Sequence, residues 1–510
     1  MAGVLLDKKE VFTDAEMRSF WDRLIHTTTP DGAIVPFGPA DGWNSHAGMR
    51  MGILEIVAAH SGDGRYRFAA QRIFNHLLFQ ENVNRINHSL GGRAQLGAAL
   101  AYLLGDFSIE PVLPEQGSVV LTHKEVLSIA GKEVAAQFLK DIDPDPTKGH
   151  VDCAALCTQK VLPFKLVLRS GWNPGDLYML VDLFPRSAGP MNVGGVLGMV
   201  RYNSVLSYGI ASKQTTEWHN MFAIDDLMGT TEKVLNENPN TIDPFYMDVA
   251  VSQLEDSQNA TYAALEVTNL NGFPMRYQRE FFFIKNRFCL VRDTAVFNNN
   301  FLGRIGPNWV TQNVGRQVGD HFANTYISAP VCHKLRLNQN PMDLLVYHAP
   351  HKERNLTITD AALQDQRRLH LPYTLGYKFS GIVQAHKKYS FTHLLLPLVP
   401  RREQIWSTDP SAATLDDHLV PYAADGVEVL LDNDAQSVWR IRTGEQREEW
   451  IVFNAGGDPI NVDDLRTDAR QVYLDIRKDV VIRATILAAT RLELRGKSLF
   501  AHSTRGNFEK

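Results

Sequence analysis

The sequence predicts an α+β multidomain protein, a partial (α/α) toroid of helical hairpins followed by an antiparallel β-sandwich. Three observations predict it. Apolar residues recur at helical spacing to about residue 140, the period then changes to two, and a turn-rich stretch separates the two regimes. At 510 residues the chain is too long for one ordinary core and suits two or three domains. We expect a helical domain over 1–145, a β-sandwich over 146–400, and a C-terminal β-rich domain or second sheet of the sandwich over 401–510.

The helical elements follow in order. Thr13-x-x-Glu16 has the form of a capping box and opens a run from Asp14 to Ile25, with apolar residues at Met17, Phe20, Trp21, Leu24 and Ile25. Residues 46–60 and 65–78 make a helical pair divided by the turn Ser61-Gly62-Asp63-Gly64. GRAQLGAALAYLL, over 92–104, is small and apolar and suits a tightly packed inner helix. Thr122-x-x-Glu125 opens a further helix to about Leu139. Five helices are too few for a complete double ring, so the toroid is partial.

Residues 141–162 are rich in turn formers and mark the domain boundary. Beyond it FKLVLRS, DLYMLVDLF, VLGMVRYN, YQREFFFIKN and FCLVRDTAVF read as strands separated by Gly, Asn, Pro or Asp. A second strand group comprises VEVLLD (427–432), SVWRIRT (437–443), EEWIVFNA (448–455) and VVIRATILAATRLEL (480–494), and the polar residues 400–425 before it read as loop.

Composition narrows the function classes. With 44% hydrophobic and 21% charged residues the chain folds rather than staying disordered. A net charge of −5 offers no basic surplus for nucleic acid or an anionic membrane, so an acidic partner would need a local Arg, Lys or His cluster. The opening MAGVLLDKKEVF lacks the apolar segment of a signal peptide, and no apolar run approaches the roughly 20 residues that span a bilayer. An intracellular protein, or an exported one whose signal has been removed, is expected. Of the cysteines Cys153, Cys157, Cys289 and Cys332, the first two are spaced C-x3-C beside His150 and Asp152. No second pair lies near to complete four zinc ligands, which favours loop or buried thiols.

Two stretches carry candidate chemistry on residue types alone. Asn87-His88 stands at the entrance to the small-residue helix, where unpaired N–H groups favour an anionic ligand; a plain helix cap is the alternative. Trp43, Asn44, His46 and Arg50 cluster with Asp41 in a Gly/Pro-rich entry to a helix. Trp43 is either a platform for a sugar face or a domain-packing anchor. Arg50 and Arg93 are candidate carboxylate clamps, because a guanidinium can grip both oxygens.

Arg169, Gly171, Trp172, Tyr178 and Asp182 form an LR-x-GW…Y-x-x-x-D strand pair, His219-Asn220 follows as an HN step, and 276–297 supplies the next hairpin. In order and spacing over roughly 160–300 this block resembles the heparinase II/III-like family, and Asn87-His88 resembles that family's Asn-His pair. The resemblance implies a helical toroid packed on a β-sandwich, with a cleft that cleaves uronic-acid-containing polysaccharides by β-elimination. It further implies that Asn87 neutralises the carboxylate, while His88 and a tyrosine serve as base and acid. Tyr202 and Tyr66 are the available tyrosines, and His219 is carried over as a site residue. The pattern departs where the family's Gly-His-x-His turn is here Gly189-Pro190-Met191-Asn192, and where its following acid aligns near Tyr208. His219 alone does not hold zinc, so neither metal nor cofactor is expected.

Two other classes stay open. A glycoside hydrolase would use paired carboxylates, with Asp41, Glu55, Asp106 and Glu110 available and no evident pair. A non-catalytic carbohydrate-binding or assembly protein would suit the lost zinc ligands. In each case the partner is a poly- or oligosaccharide, and the short helical part leaves room for a second subunit over the cleft.

Overall fold

The computed structural model describes residues 10–35, 43–44, 46–81, 88–129, 157–183, 193–209, 219–235, 247–311, 314, 316–318, 322–326, 331–332, 337–339, 342–360, 373–398, 426–442 and 446–510. Its helices are α1 (Glu10–Thr13), α2 (Ala15–His26), α3 (Ala47–Ser61), α4 (Gly64–Glu81) and α5 (His88–Leu104). Asp14, not Thr13, begins α2: its Oδ1 accepts the Met17 N–H at 3.1 Å. α3 ends on Gly62, whose φ of +71° suits glycine and whose N–H donates to Ala58 O. Asp63 then accepts the Arg65 N–H, and the chain turns back into α4.

These helices share a core of Leu54, Val57, Tyr66, Ala69, Ala70 and Ile73, joined by Trp172 from beyond the helical part. α5 meets α3 through glycine, since a Cβ on Gly97 would stand only 1.8 Å from Gly48 O. Its opposite face leaves Leu96, Tyr102 and Leu103 exposed. The expected inner helix is therefore packed on one side only among the described residues. The described helices form packed hairpins, and their number does not close a ring.

The expected helix over 122–139 is corrected in its first part. Val119–Ile129 is a strand, β1, in antiparallel register with β2 (Cys157–Arg169). Pairing overrides the Thr122-x-x-Glu125 signature, because Val119, Leu121 and other apolar residues of this stretch have a neighbouring strand on which to pack. The start of β2 also takes 157–162 out of the expected boundary loop. β3 (Tyr178–Asp182), β4 (Val196–Arg201) and β5 (Ser204–Tyr208) complete a five-stranded antiparallel meander.

Next come β6 (Phe222–Asp226), β7 (Asp248–Asp256), β8 (Ala260–Thr268), β9 (Met275–Ile284), β10 (Phe288–Phe297) and β11 (Phe301–Thr311). β6 and β11 join Arg354–Asp360 and Tyr373–Val383 in a four-stranded sheet. β7 to β10 join Arg316–Val318, Phe322–Tyr326, Asp343–His348 and Lys388–Leu398 in an eight-stranded sheet. Between this large sheet and the two smaller ones lies one core, containing Leu168, Met179, Phe281, Phe283, Val291, Trp309 and Leu395.

The other face of the large sheet is also dry. Phe282, Ile284, Leu290 and Leu394 pack there on Trp439, Ile451, Phe453 and Tyr473 from a sheet built over Val427–Glu509. β9 and β10 are thus covered on both faces, which is why EFFFI reads as a continuous apolar run rather than an alternation. Several polar side chains within and beside these strands are paired. Arg279 Nε lies 3.1 Å from Asp293 Oδ1, the Tyr277 hydroxyl donates to the same oxygen, and Tyr262 donates to Glu280.

Candidate functional site

The strand block over 169–182 forms the joint between helices and sheets. The Arg169 guanidinium lies 3.5 Å from the Trp172 ring centroid and 4.8 Å from that of Tyr178. Its Nη2 donates to the carbonyls of His26 and Thr28, at the end of α2. Burial lowers its pKa to about 10, still far above neutrality, so the charge persists. Asp182 is paired with Lys165 at 2.6 Å. This block therefore clasps the helical part to the first sheet.

The residues at the entry to α3 are tied into the same joint. Trp43 is 9% exposed and packs with Val35, Leu121, Tyr178 and Leu197. Asn44, at φ +60°, accepts the Ile34 N–H at 2.8 Å and meets His76 Nε2 at 3.0 Å through Nδ2. Burial holds the His76 imidazole below its ordinary pKa, and the Asn203 side chain also hydrogen-bonds it. Arg50 Nη1 donates to Thr27 Oγ1 at 2.9 Å. His46 is exposed immediately before α3. These positions place Trp43 and Asn44 in packing and bridging roles.

His88 is the first residue of α5 and Arg93 lies further along it; the side chains of both, and all of Asn87, fall outside the described residues. Asp41, Cys153 and the turn 189–192 fall outside them too. Tyr202 sits at φ +51° in the tight turn between β4 and β5, 39% exposed, beside Arg201 and against Gly175. Tyr66 is buried, and its hydroxyl donates to Asp22 Oδ1 at 2.8 Å. Burial first, and then Asp22, raises its pKa. His219 is buried, and the adjoining Asn220 donates to Val196 O and accepts from Val310 N–H. Gly209, next to Tyr208, faces His219 Nδ1. Among the described residues no three His, Cys, Asp or Glu side chains gather in a manner that would hold a metal ion.

Glu55 and Asp106, two of the candidate carboxylates, sit in different surroundings. Glu55 is buried in the helical core, where burial raises its pKa against the pull of Arg67. Asp106 accepts the N–H and hydroxyl of Ser108.

One cavity was not foreseen from the sequence. It measures about 510 Å³ and lies between α2, the start of α4 and β1. Arg18, Arg23, His26 and Arg65 line it with Ser19, Asp22, Val120, Leu121 and Thr122. Arg65 is held by Asp63 at 2.7 Å and approaches Asp22 at 3.6 Å, and Arg18 lies 3.5 Å from Asp63. Arg23 stands over the Phe164 ring at 5.7 Å. Burial, then Arg169 and Arg65, push the His26 imidazole down to about 4, so it is neutral at ordinary pH. The sequence signal was the polar stripe of α2, Arg18, Asp22 and His26 at four-residue spacing, opposite the apolar stripe that identified the helix.

No protein-family profile and no curated protein matches the sequence. Among solved structures it is similar to a heparinase III at 11% identity, covering 91% of this chain and 61% of that one, with a TM-score of 0.39. It is also similar to the heparan sulfate lyase HepC from Pedobacter heparinus at 12% identity, covering 91% and 63%, with a TM-score of 0.37. A second heparinase III structure matches at 11% identity over 88% and 64%, with a TM-score of 0.38. The chain spans about three fifths of the length of these structures.

Proposed function

We propose that the protein is a polysaccharide lyase that cleaves an acidic, uronic-acid-containing glycan by β-elimination. The observation that carries this reading is the clasp of Arg169, Trp172 and Tyr178, the residues of the heparinase-like motif, which joins the helices to the sheets; a substrate chain would lie along that junction. A partial toroid would supply one wall. Asn87 would neutralise the uronate carboxylate, and His88, at the N-terminus of α5, would remove or return the proton with a tyrosine as its counterpart. Tyr202 is the partly exposed tyrosine of the pair considered, whereas Tyr66 already donates to Asp22. Trp43, Asn44, His46, Arg50 and Arg93 would bind the substrate, and His219 would join the catalytic group from the sheet side.

β-Elimination creates a conjugated double bond. Incubation with a panel of uronate polysaccharides is therefore expected to raise absorbance near the ultraviolet edge, and His88→Ala or Asn87→Ala to reduce the rate by about 10²-fold or more. Turnover unchanged in both variants overturns the assignment. Reducing ends released without that absorbance would indicate hydrolysis instead.

The reading assigns no zinc to His219, because Pro190 to Asn192 bring no histidine to the turn that would share the metal. Elemental analysis of the purified protein is expected to find no stoichiometric zinc. A bound equivalent lost on His219→Ala would contradict this.

A further inference from the structure

We propose that His76 is a proton-operated latch in the joint between helices and sheets: its neutral ring fastens α4 to the entry of α3 and to the turn between β4 and β5, and a proton on that ring releases the turn. The inference is drawn from the hydrogen bonds of the joint and stands or falls separately from the lyase reading.

Hydrogen bonding fixes the state of the ring. Asn44 Oδ1 accepts the Ile34 N–H at 2.8 Å, so the group that meets His76 Nε2 at 3.0 Å is the Asn44 amide nitrogen, which can only donate. Gln80 Nε2 approaches the same ring nitrogen at 3.4 Å. His76 Nε2 is therefore a bare acceptor, and the neutral ring carries its hydrogen on Nδ1. A proton added at Nε2 would set donor against donor, on a buried side chain.

The surrounding charges do not repair that clash. Burial, the larger influence, opposes a proton on the ring, and Asp31, from the loop between α2 and α3, favours one. The Asp31 carboxylate is already engaged by the Thr29 hydroxyl and the Ala33 N–H, and it meets the ring through its backbone. Arg72, one turn earlier on α4, stands in the field of Asp31 and Asp176. From the β4–β5 turn the uncharged side chain of Asn203 bonds the ring, while its neighbours Arg201 and Tyr202 are directed to Gly175.

That turn is set to move once released. Tyr202 and Asn203 lie at φ +51° and +55°. Two successive residues in that region suit glycine or asparagine, and tyrosine adopts it only at a cost in backbone strain. Asn203 holds the strained turn to α4 through His76, so loss of that bond frees the loop that carries Tyr202.

The test is amide hydrogen exchange of the full chain at pH 7.5 and pH 5, corrected for the chemical rate and read in peptides over 70–81 and 196–208. The latched ring takes a proton less readily than a free imidazole, whose ordinary value is 6.5. The hold is therefore complete above about pH 6.5 and is lost as pH falls below it. Opening in these peptides is expected to rise about tenfold or more at pH 5. His76→Gln puts an amide oxygen where Nε2 stood, keeping an acceptor for Asn44 without a titrating group, and should remove the rise. Asn44→Asp keeps the oxygen that accepts the Ile34 N–H and turns the facing donor into a carboxylate, which holds an imidazolium; it should abolish or reverse the rise. Exchange that is equal at the two pH values in the wild type overturns the proposal. So does a rise that His76→Gln shares, or that Asn44→Asp leaves in its original direction. Should the glutamine variant not fold, the aspartate variant decides. No turnover is read, so a protein inactive on every polysaccharide would sink the lyase reading and leave the latch standing.

Discussion

Arg169 and His26 show how much of the helix–sheet joint depends on single side chains. Arg169 is enclosed by two aromatic rings and bonded to two carbonyls, and one of these belongs to His26, whose imidazole stands in its electrostatic field. A folded pKa of about 4 against an ordinary value of 6.5 means that the unfolded chain binds the proton more readily. The stability this gives is fully present above about pH 6.5 and is lost as pH falls toward 4, a loss on the order of 3 kcal/mol by pH 4. Asp293, Glu280 and Asp432 act in the opposite sense, because burial raises their carboxyls. The measurement is therefore a difference: denaturation of wild type and His26→Asn between pH 4 and 7, with the wild type losing more. Parallel losses would show that His26 is not buried neutral. At this scale the sequence was partly legible. Arg169, Trp172 and Tyr178 were singled out by motif, but their stacking was not, because stacking depends on how β2 and β3 are aligned and residue types do not encode that.

Among the elements, α3 and α5 approach closely, and glycine permits it. Gly97→Ala sets two effects against each other. Alanine favours a helix by about 1 kcal/mol, but its Cβ would fall on the Gly48 carbonyl, which is backbone and cannot swing aside. The clash should win, with a net loss of about 1–2 kcal/mol and a lower melting temperature followed by helical circular dichroism. A stabilised variant would mean that the helices sit further apart. The pair α3–α4 was legible from Gly62 and the periodicity on either side of it. β1 was not, because Thr122 and Glu125 imitate a helix start and the deciding influence, pairing with β2, comes from Pro163 and Lys160 much further along the chain. The cavity escaped for a related reason: Arg18, Arg23 and Arg65 belong to two helices, and only the fold brings them to β1.

For the whole molecule, the dominant fact is the large sheet with cores on both sides. Its inner strands β9 and β10 should have the slowest amide hydrogen exchange in the protein, and the partly exposed α5 a much faster one, as mass spectrometry of exchanging peptides would show. Comparable protection in the two would contradict this stacking. Four of the late strands, those over 427–432, 437–443, 448–455 and 480–494, were readable one by one, whereas Gln471–Arg477 between them was not, and nothing in their sequence said which surface they would cover. A strand that is greasy on both sides also raises a problem of error. Shifted along its partners by one residue, β9 would still bury phenylalanines above and below, so hydrophobicity alone hardly distinguishes the mistake. The charges distinguish it. In the correct alignment Arg279 meets Asp293 while Glu280 turns the other way to Tyr262. In the shifted one Glu280 would be driven into the place opposite Asp293, two carboxyls in a dry interior. The buried ion pair thus serves as a proofreading device, penalising a misaligned sheet that its own phenylalanines would accept.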